Sequence, residues 1–211
     1  MRREDRDNQG QLIRLEANPA TAADEEAARN SGLIVSRRIL QLRIDLPLTP
    51  DPRAITIATR RFAYPHDAEE FLAVNNRAFH WHPDQSGWTS KELSARMAEP
   101  WFDANGFLLH ERHGKLAGFC WTKIHEATET DPALGEIFVI AVDPDFHGLG
   151  LGRALTVAGL TYLTTQHLNL GMLHVEADNT AACALYRDLG FVDYDSHCWW
   201  ALPEADTASV Q

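Results

Sequence analysis

The chain has 211 residues, an ordinary hydrophobic share of 45% and a formal net charge of −11 at pH 7. That is enough for one sizeable packed domain, and the acidic balance argues against a nucleic-acid surface or a polybasic membrane contact. Three cysteines, Cys120, Cys183 and Cys198, are too sparse and odd in number for a disulfide framework, so a reducing, cytoplasmic setting is expected. The opening MRREDRDNQG carries no apolar h-region and does not read as a signal peptide, and no run approaches the length of a membrane span.

Residues 1–31 are polar, and the alanine- and acid-rich PATAADEEAARNSG predicts a short helix ending at Gly32. LIVSRRILQLRIDL, 33–46, alternates Ile39, Leu40, Leu42, Ile44 and Leu46 with charges and predicts a strand or hairpin. PLTPDP, 47–52, is a proline-rich break and the best linker candidate. AITIATRRF reads as a strand. HDAEEFLAVNNRAF has near-helical apolar spacing at Phe71, Leu72, Val74, Ala78 and Phe79. TSKELSARM pairs Thr89 with Glu92, the start of a capped helix. GFLLHERHGKLAGFCWTKIH predicts a hairpin turning at His113 and Gly114. GEIFVIAV is a strand stopped by Pro144, and 150–166 a helix. A strand at 171–177, a helix at 179–189 closed by Gly190, and final strand material in FVDYDSHCWWAL complete the pattern. From residue 53 the predicted order is β-α-α-β-β-β-α-β-α-β-β, an α/β (α+β) arrangement.

DFHGLGLGR, 145–153, places glycines at 148, 150 and 152 between the GEIFVIAV strand and the following helix. A glycine-rich turn at a helix N-terminus presents free N–H groups and a favourable partial charge, which makes an anion site. A Walker loop is excluded because Gly152 is followed by Arg153 and Ala154. A dinucleotide fingerprint is excluded because the spacing is G-x-G-x-G and falls late in the chain. The alternative is a flexible turn that binds nothing.

VDPDFHGLGLGRAL resembles the pyrophosphate loop of the GCN5-related N-acetyltransferases, with His147 where Gln or Arg is usual. VEADNTAACALYRDLGF, 175–191, is similar to that family's second signature. NNRAFHWHPDQSGWT, EPWFDANGFLL, GFCWTKIH and GEIFVIAVDP together resemble the C-terminal half of the mycothiol synthase family. The resemblance covers 53–203. It implies a GNAT fold with a mixed, mostly antiparallel sheet splayed between its fourth and fifth strands. It also implies that 1–52 is an N-terminal tail, a remnant of a preceding GNAT domain and a linker, and that 204–211 is a C-terminal tail.

By the same resemblance the chain uses acetyl-CoA and no metal, and acetylates the cysteinyl amine of cysteine–glucosamine–inositol. Main-chain groups of Ile140, Ala141 and Val142 would pair with the pantetheine arm. His147, Gly148, Leu149, Gly150, Leu151, Gly152 and Arg153 would hold the pyrophosphate. Asn179, Thr180, Ala181, Ala182, Cys183 and Ala184 match a second coenzyme-contact segment. Glu136 is expected as general base, on one strand face with Phe138 and Ile140, and Tyr186 as general acid. Asp84, Lys123, Glu136 and His174 match acceptor positions, with Asp84 where glutamate and His174 where tyrosine is usual.

Read as residues alone, several of these stay open. Glu136 suits an exposed strand end equally well, Tyr186 a core tyrosine, Asn179 a helix cap, and Asp84 and Lys123 solvated charges. His80 and His82 resemble a metal pair without a third ligand, and Cys183 is better read as a buried thiol than as a nucleophile. The expected partner is a small-molecule amine, with no nucleic acid or membrane, and a monomer or weak dimer. The alternatives are transfer to another small amine or a protein N-terminus, or a non-catalytic acyl-CoA-binding remnant.

Overall fold

The computed structural model describes residues 1–49, 55–82 and 85–203. The chain divides into two compact units, 1–43 with 174–211 and 44–173. Among the described residues there are nine strands and five α-helices. The expected C-terminal tail, part of the proline-rich break and Asp84 lie outside the described residues.

In the first unit, β1 (Arg2–Arg6) and β2 (Leu12–Ala17) form an antiparallel hairpin. Sequence patterning predicts no strand here. RREDR is charged throughout, so it shows no apolar period, and such a strand is suited to a sheet edge. Its partner β2 buries Leu12, Leu15 and Ala17. Helix α1 (Ala22–Asn30) starts at a capping box made by Thr21 and Asp24, and packs Ala28 against Leu15, Cys198 and Trp200.

Strand β3 (Ile34–Asp45) is one long strand. Strand β9 (Val192–Ala201) lies between β2 and β3, antiparallel to both. Two strands were expected at the C-terminus. The observed one is continuous, with an irregular register beside Gln41 and Leu42 that leaves Tyr194 unpaired in the ladder with β3. Helix α5 (Thr180–Asp188) also belongs to this unit.

The second unit begins with β4, which is only Arg60–Arg61, paired to β5 (Phe107–Arg112). Of the longer strand expected over 54–62, only Arg60–Arg61 is strand among the described residues. Residues 55–59 alternate in hydrophobicity but belong to no ladder. Strand β6 (Lys115–His125) returns from β5 through His113 and Gly114, both at positive φ, the geometry of a two-residue hairpin turn. Strand β7 (Leu134–Val142) is antiparallel to β6, and β8 (Leu170–Glu176) is parallel to β7 at Gly135, Glu136 and Ile137.

Two helices and a third cover opposite faces of this sheet. Phe71 and Val74 of α2 (Ala68–Ala78) and Leu93 of α3 (Ser90–Met97) pack with Phe107, Phe119, Trp121, Val139 and Ala141. Thr89 and Glu92 form the predicted capping box of α3. On the other face lies α4 (Leu151–Thr165). Gly159 lets it approach closely, because a Cβ there would stand 2.5 Å from Cys120 Sγ and 2.6 Å from Ile137 Cδ1. None of the described helices is long and apolar enough to cross a membrane.

Candidate active site

One irregularity organises β7. Trp121 stands opposite Val139, while the next residue, Thr122, stands opposite Ile137. Phe138 is therefore the extra residue of a β-bulge, and the two-residue alternation of side chains breaks there. Glu136 pairs with Lys123, and Phe138 packs on Trp101 and Trp121, so both lie on the α2 and α3 side. Ile140 pairs with Cys120, whose Sγ faces Gly159 of α4. The expected common face of Glu136, Phe138 and Ile140 is thus corrected: simple alternation carries the first two to one side, and the bulge sends Ile140 to the other.

Glu136 is buried at 7% exposure, and His125 Nε2 lies 2.7 Å from its Oε2. Lys123 Nζ lies 4.9 Å from the Trp101 ring centroid and 5.7 Å from that of Phe138, close enough for cation–π attraction. A carboxylate, an ammonium and an aromatic platform therefore meet at the bulge. The family resemblance singles out Glu136 and Lys123 but not His125. His125 is found only from the ladder, where it stands opposite Leu134 and so diagonal to Glu136.

Past the bulge, the ladder decides which backbone groups face outward. The Asp143 N–H donates to Ala117 O at 3.0 Å, so by antiparallel alternation the main chain of Ala141 faces Phe119 on β6. Accordingly the Ala141 carbonyl lies 2.7 Å from a Cβ built on Gly118. Ile140 and Val142 turn their N–H and C=O to the opposite edge, beyond the last β7–β8 pair at Ile137. There His147 Nε2–H donates to Val142 O at 3.0 Å.

The strand then enters the turn Pro144–Phe146 and the glycine loop. Gly148 and Gly150 hold φ of +77° and +75°, a left-handed conformation that strains any side chain. Among the described residues, the amides of Gly148, Leu149, Gly150, Leu151 and Gly152 have no hydrogen-bond partner, and the loop's first helical bond runs from Ala154 N–H to Gly150 O. Five unspent donors at the start of a fifteen-residue helix suit a diphosphate. Buried Asp143 anchors this turn. It accepts the Asp145 N–H at 3.0 Å and pairs with Arg77 of α2.

His174, the 179–184 segment and Tyr186 belong to the first unit. His174 is exposed, with Nε2 3.3 Å from Gln41 Nε2. Asn179 caps α5 by accepting the Ala182 N–H at 3.2 Å, and the amides of Asn179, Thr180 and Cys183 are also bonded. Within this segment the N–H of Ala181 makes no such turn or cap bond. Cys183 is buried, its thiol pushed up by that burial, and Sγ lies 3.6 Å from Glu176 O, a poor setting for a nucleophile. Tyr186 is 8% exposed and packs edge-on against Phe191. His80 Nδ1 bonds Arg77 O, and no group of three metal-ligating side chains occurs among the described residues.

The Acetyltransferase (GNAT) family matches residues 66–191. The chain is 41% identical over 197 residues to a mycothiol acetyltransferase of Segniliparus rotundus, covering 86% of this chain and 74% of that protein. It is 44% identical over 186 residues to a Rhodococcus erythropolis protein of the same name, covering 84% and 62%. A Streptomyces coelicolor namesake is 42% identical over 192 residues, covering 89% and 60%. The chain thus spans about three fifths to three quarters of these relatives. Among solved structures, a GCN5-related N-acetyltransferase from Sphaerobacter thermophilus superposes with a TM-score of 0.65 at 21% identity, over 90% of this chain and 60% of that one, a likeness of fold. With more than half of its residues inside the family match, and relatives above 40% identity along most of its length, the chain belongs to the GNAT acetyltransferase family.

Proposed function

We propose that this chain transfers an acetyl group from acetyl-CoA to the cysteinyl amine of cysteine–glucosamine–inositol. The observation that carries the reaction class is the continuity of β7. It runs from a buried carboxylate through a bulge and an outward-facing backbone edge into a loop of unpartnered amides. The relatives named mycothiol acetyltransferase support the choice of acceptor.

Acetyl-CoA supplies the activated acetyl group. The 148–152 amides, with His147 and Arg153 beside them, are assigned its diphosphate. The outward-facing edge at Ile140 and Val142 is assigned the amide arm, by strand-like pairing. The Val142 carbonyl already accepts from His147, so the Val142 N–H and both groups of Ile140 are the available partners. A β7 N–H polarises the thioester carbonyl. Residues 179–184 form a second contact with the coenzyme.

Glu136 takes a proton from the acceptor ammonium, directly or through water. An α-amino group with a pKa near ~8 is partly neutral at pH 7, so a modest base suffices. Tyr186 is assigned the proton for the departing thiolate. Lys123, with Trp101 beneath it, faces the acceptor, and Asp84 and His174 complete its recognition.

The test is turnover on an acceptor panel. The protein is incubated with acetyl-CoA and either the cysteinyl pseudodisaccharide or simple amines and peptide N-termini, and free CoA thiol is measured. Turnover on the pseudodisaccharide above all others is expected. Turnover confined to simple amines or peptides removes this acceptor. Tight acetyl-CoA binding with no turnover on any acceptor identifies a coenzyme-binding remnant.

A further inference from the structure

We propose that His125 is a positioning residue for Glu136, holding the carboxylate in one orientation for proton transfer from the acceptor amine. The proposal rests on the reading of Glu136 as base.

Glutamate has three side-chain torsions, and the last of them is broad and two-fold. A buried glutamate can therefore aim its oxygens in many directions unless something holds it. Here the Glu136 side chain is 9% exposed, and His125 Nε2 meets one oxygen, Oε2, at 2.7 Å. An ionised carboxylate only accepts, so the imidazole donates through Nε2–H. That bond fixes Oε2 and so limits rotation about the last side-chain torsion.

The backbone makes the contact rigid. His125 and Glu136 lie on adjacent antiparallel strands, in the part of the ladder where β6 and β7 pair residue for residue from Thr122 to His125. The bulge at Phe138 lies immediately beyond. Lys123, the direct partner of Glu136, lies over Trp101 and Phe138. The carboxylate thus has an ammonium-bearing neighbour directly opposite and a directional donor on the diagonal. Proton transfer requires heavy-atom distances of about 2.6–3.2 Å, and a misplacement of about 1 Å can cost on the order of 100-fold in rate.

Four variants of the full chain test this: His125→Ala, His125→Gln, Glu136→Gln and the double variant His125→Ala/Glu136→Gln. Steady-state CoA release is measured with acetyl-CoA and the cysteinyl pseudodisaccharide. Acetyl-CoA affinity is measured by direct titration, and melting temperature is recorded for each protein. His125→Ala should lower kcat by roughly 10- to 100-fold with acetyl-CoA affinity and acceptor KM nearly unchanged. His125→Gln, whose side-chain amide reaches toward the same place as Nε2–H, should recover most of that loss. The double variant should be no slower than Glu136→Gln, because His125 acts only through the carboxylate.

A His125→Ala protein with kcat within twofold of the parent overturns the proposal. So does a His125→Ala loss that multiplies in full with that of Glu136→Gln, or a His125→Gln protein as slow as His125→Ala. If His125→Ala fails to fold, the His125→Gln rate decides alone, a loss beyond tenfold counting against the proposal. Unchanged kcat in Glu136→Gln removes the base reading itself. That differs from the failure of His125, in which Glu136→Gln is slow and His125→Ala is not.

Discussion

Arg77 of α2 closes its guanidinium onto the carboxylate of Asp143, the residue that follows β7 and caps the turn before the glycine loop. Asp143 is 1% exposed, so its charge is out of water and depends on that partner. The contact ties the helix on one face of the sheet to the backbone that leads into the proposed diphosphate seat.

Arg77→Ala should therefore act in two places. It strands a buried carboxylate, with an expected stability loss of about 1–3 kcal/mol, read from denaturant unfolding. It also releases the Pro144–Phe146 turn, and acetyl-CoA affinity should fall several-fold by titration calorimetry. Undiminished affinity in a destabilised protein would confine Arg77 to folding.

Gly150→Val tests the loop itself. At φ +75° a β-branched residue is strained, and the left-handed conformation costs roughly 1–2 kcal/mol for any L side chain. Among the described residues, the only heavy atom within 4 Å of a Cβ there is Ile55 Cδ1 at 3.8 Å, so the fold has room for a side chain that a bound phosphate would not. Acetyl-CoA binding should weaken by more than tenfold while the protein remains folded. An unaltered dissociation constant would contradict the loop's assigned role.

Gly159→Ala separates helix propensity from packing. Alanine favours a helix interior by roughly 1 kcal/mol over glycine. Its Cβ would, however, sit 2.5 Å from Cys120 Sγ and 2.6 Å from Ile137 Cδ1, inside the packed core. Overpacking of this kind costs typically 1–3 kcal/mol, so net destabilisation is expected, and Cys120→Ala in the same chain should recover part of it. A raised melting temperature in the single variant would show that α4 can move away from the sheet.

Acid should weaken the second unit through Asp67. Burial pushes this carboxyl up, but Arg60, His66 and the Ala63 N–H outweigh it and hold it at about 2, below the usual 3.8. A folded-state value below the unfolded one means the contribution is complete above pH 3.8 and is lost as pH falls toward 2. Asp67→Asn should flatten the stability–pH curve in that window. An unchanged slope there would place the acid sensitivity elsewhere.

The sequence alone determined the local features of this protein. The capping box at Thr89 and Glu92, the turn at His113 and Gly114, the strand stop before Pro144 and the glycine loop before α4 all arise within a few residues. Each is set by torsional preference or a nearby hydrogen bond, so each is legible in the letters. The hairpin of β1 and β2 was not, because a fully charged edge strand has no apolar period to read. The short β4 was not either, because alternating Ile and Thr cannot state whether a partner strand reaches them. Tertiary structure alone decided that Ile140 leaves the face of Glu136, that Ala141 spends its amide on β6, and that His125 meets Glu136. These depend on the register between two strands and on one bulged residue. Pairing energy between strands separated by a loop decides such things, and no window along a single strand contains it.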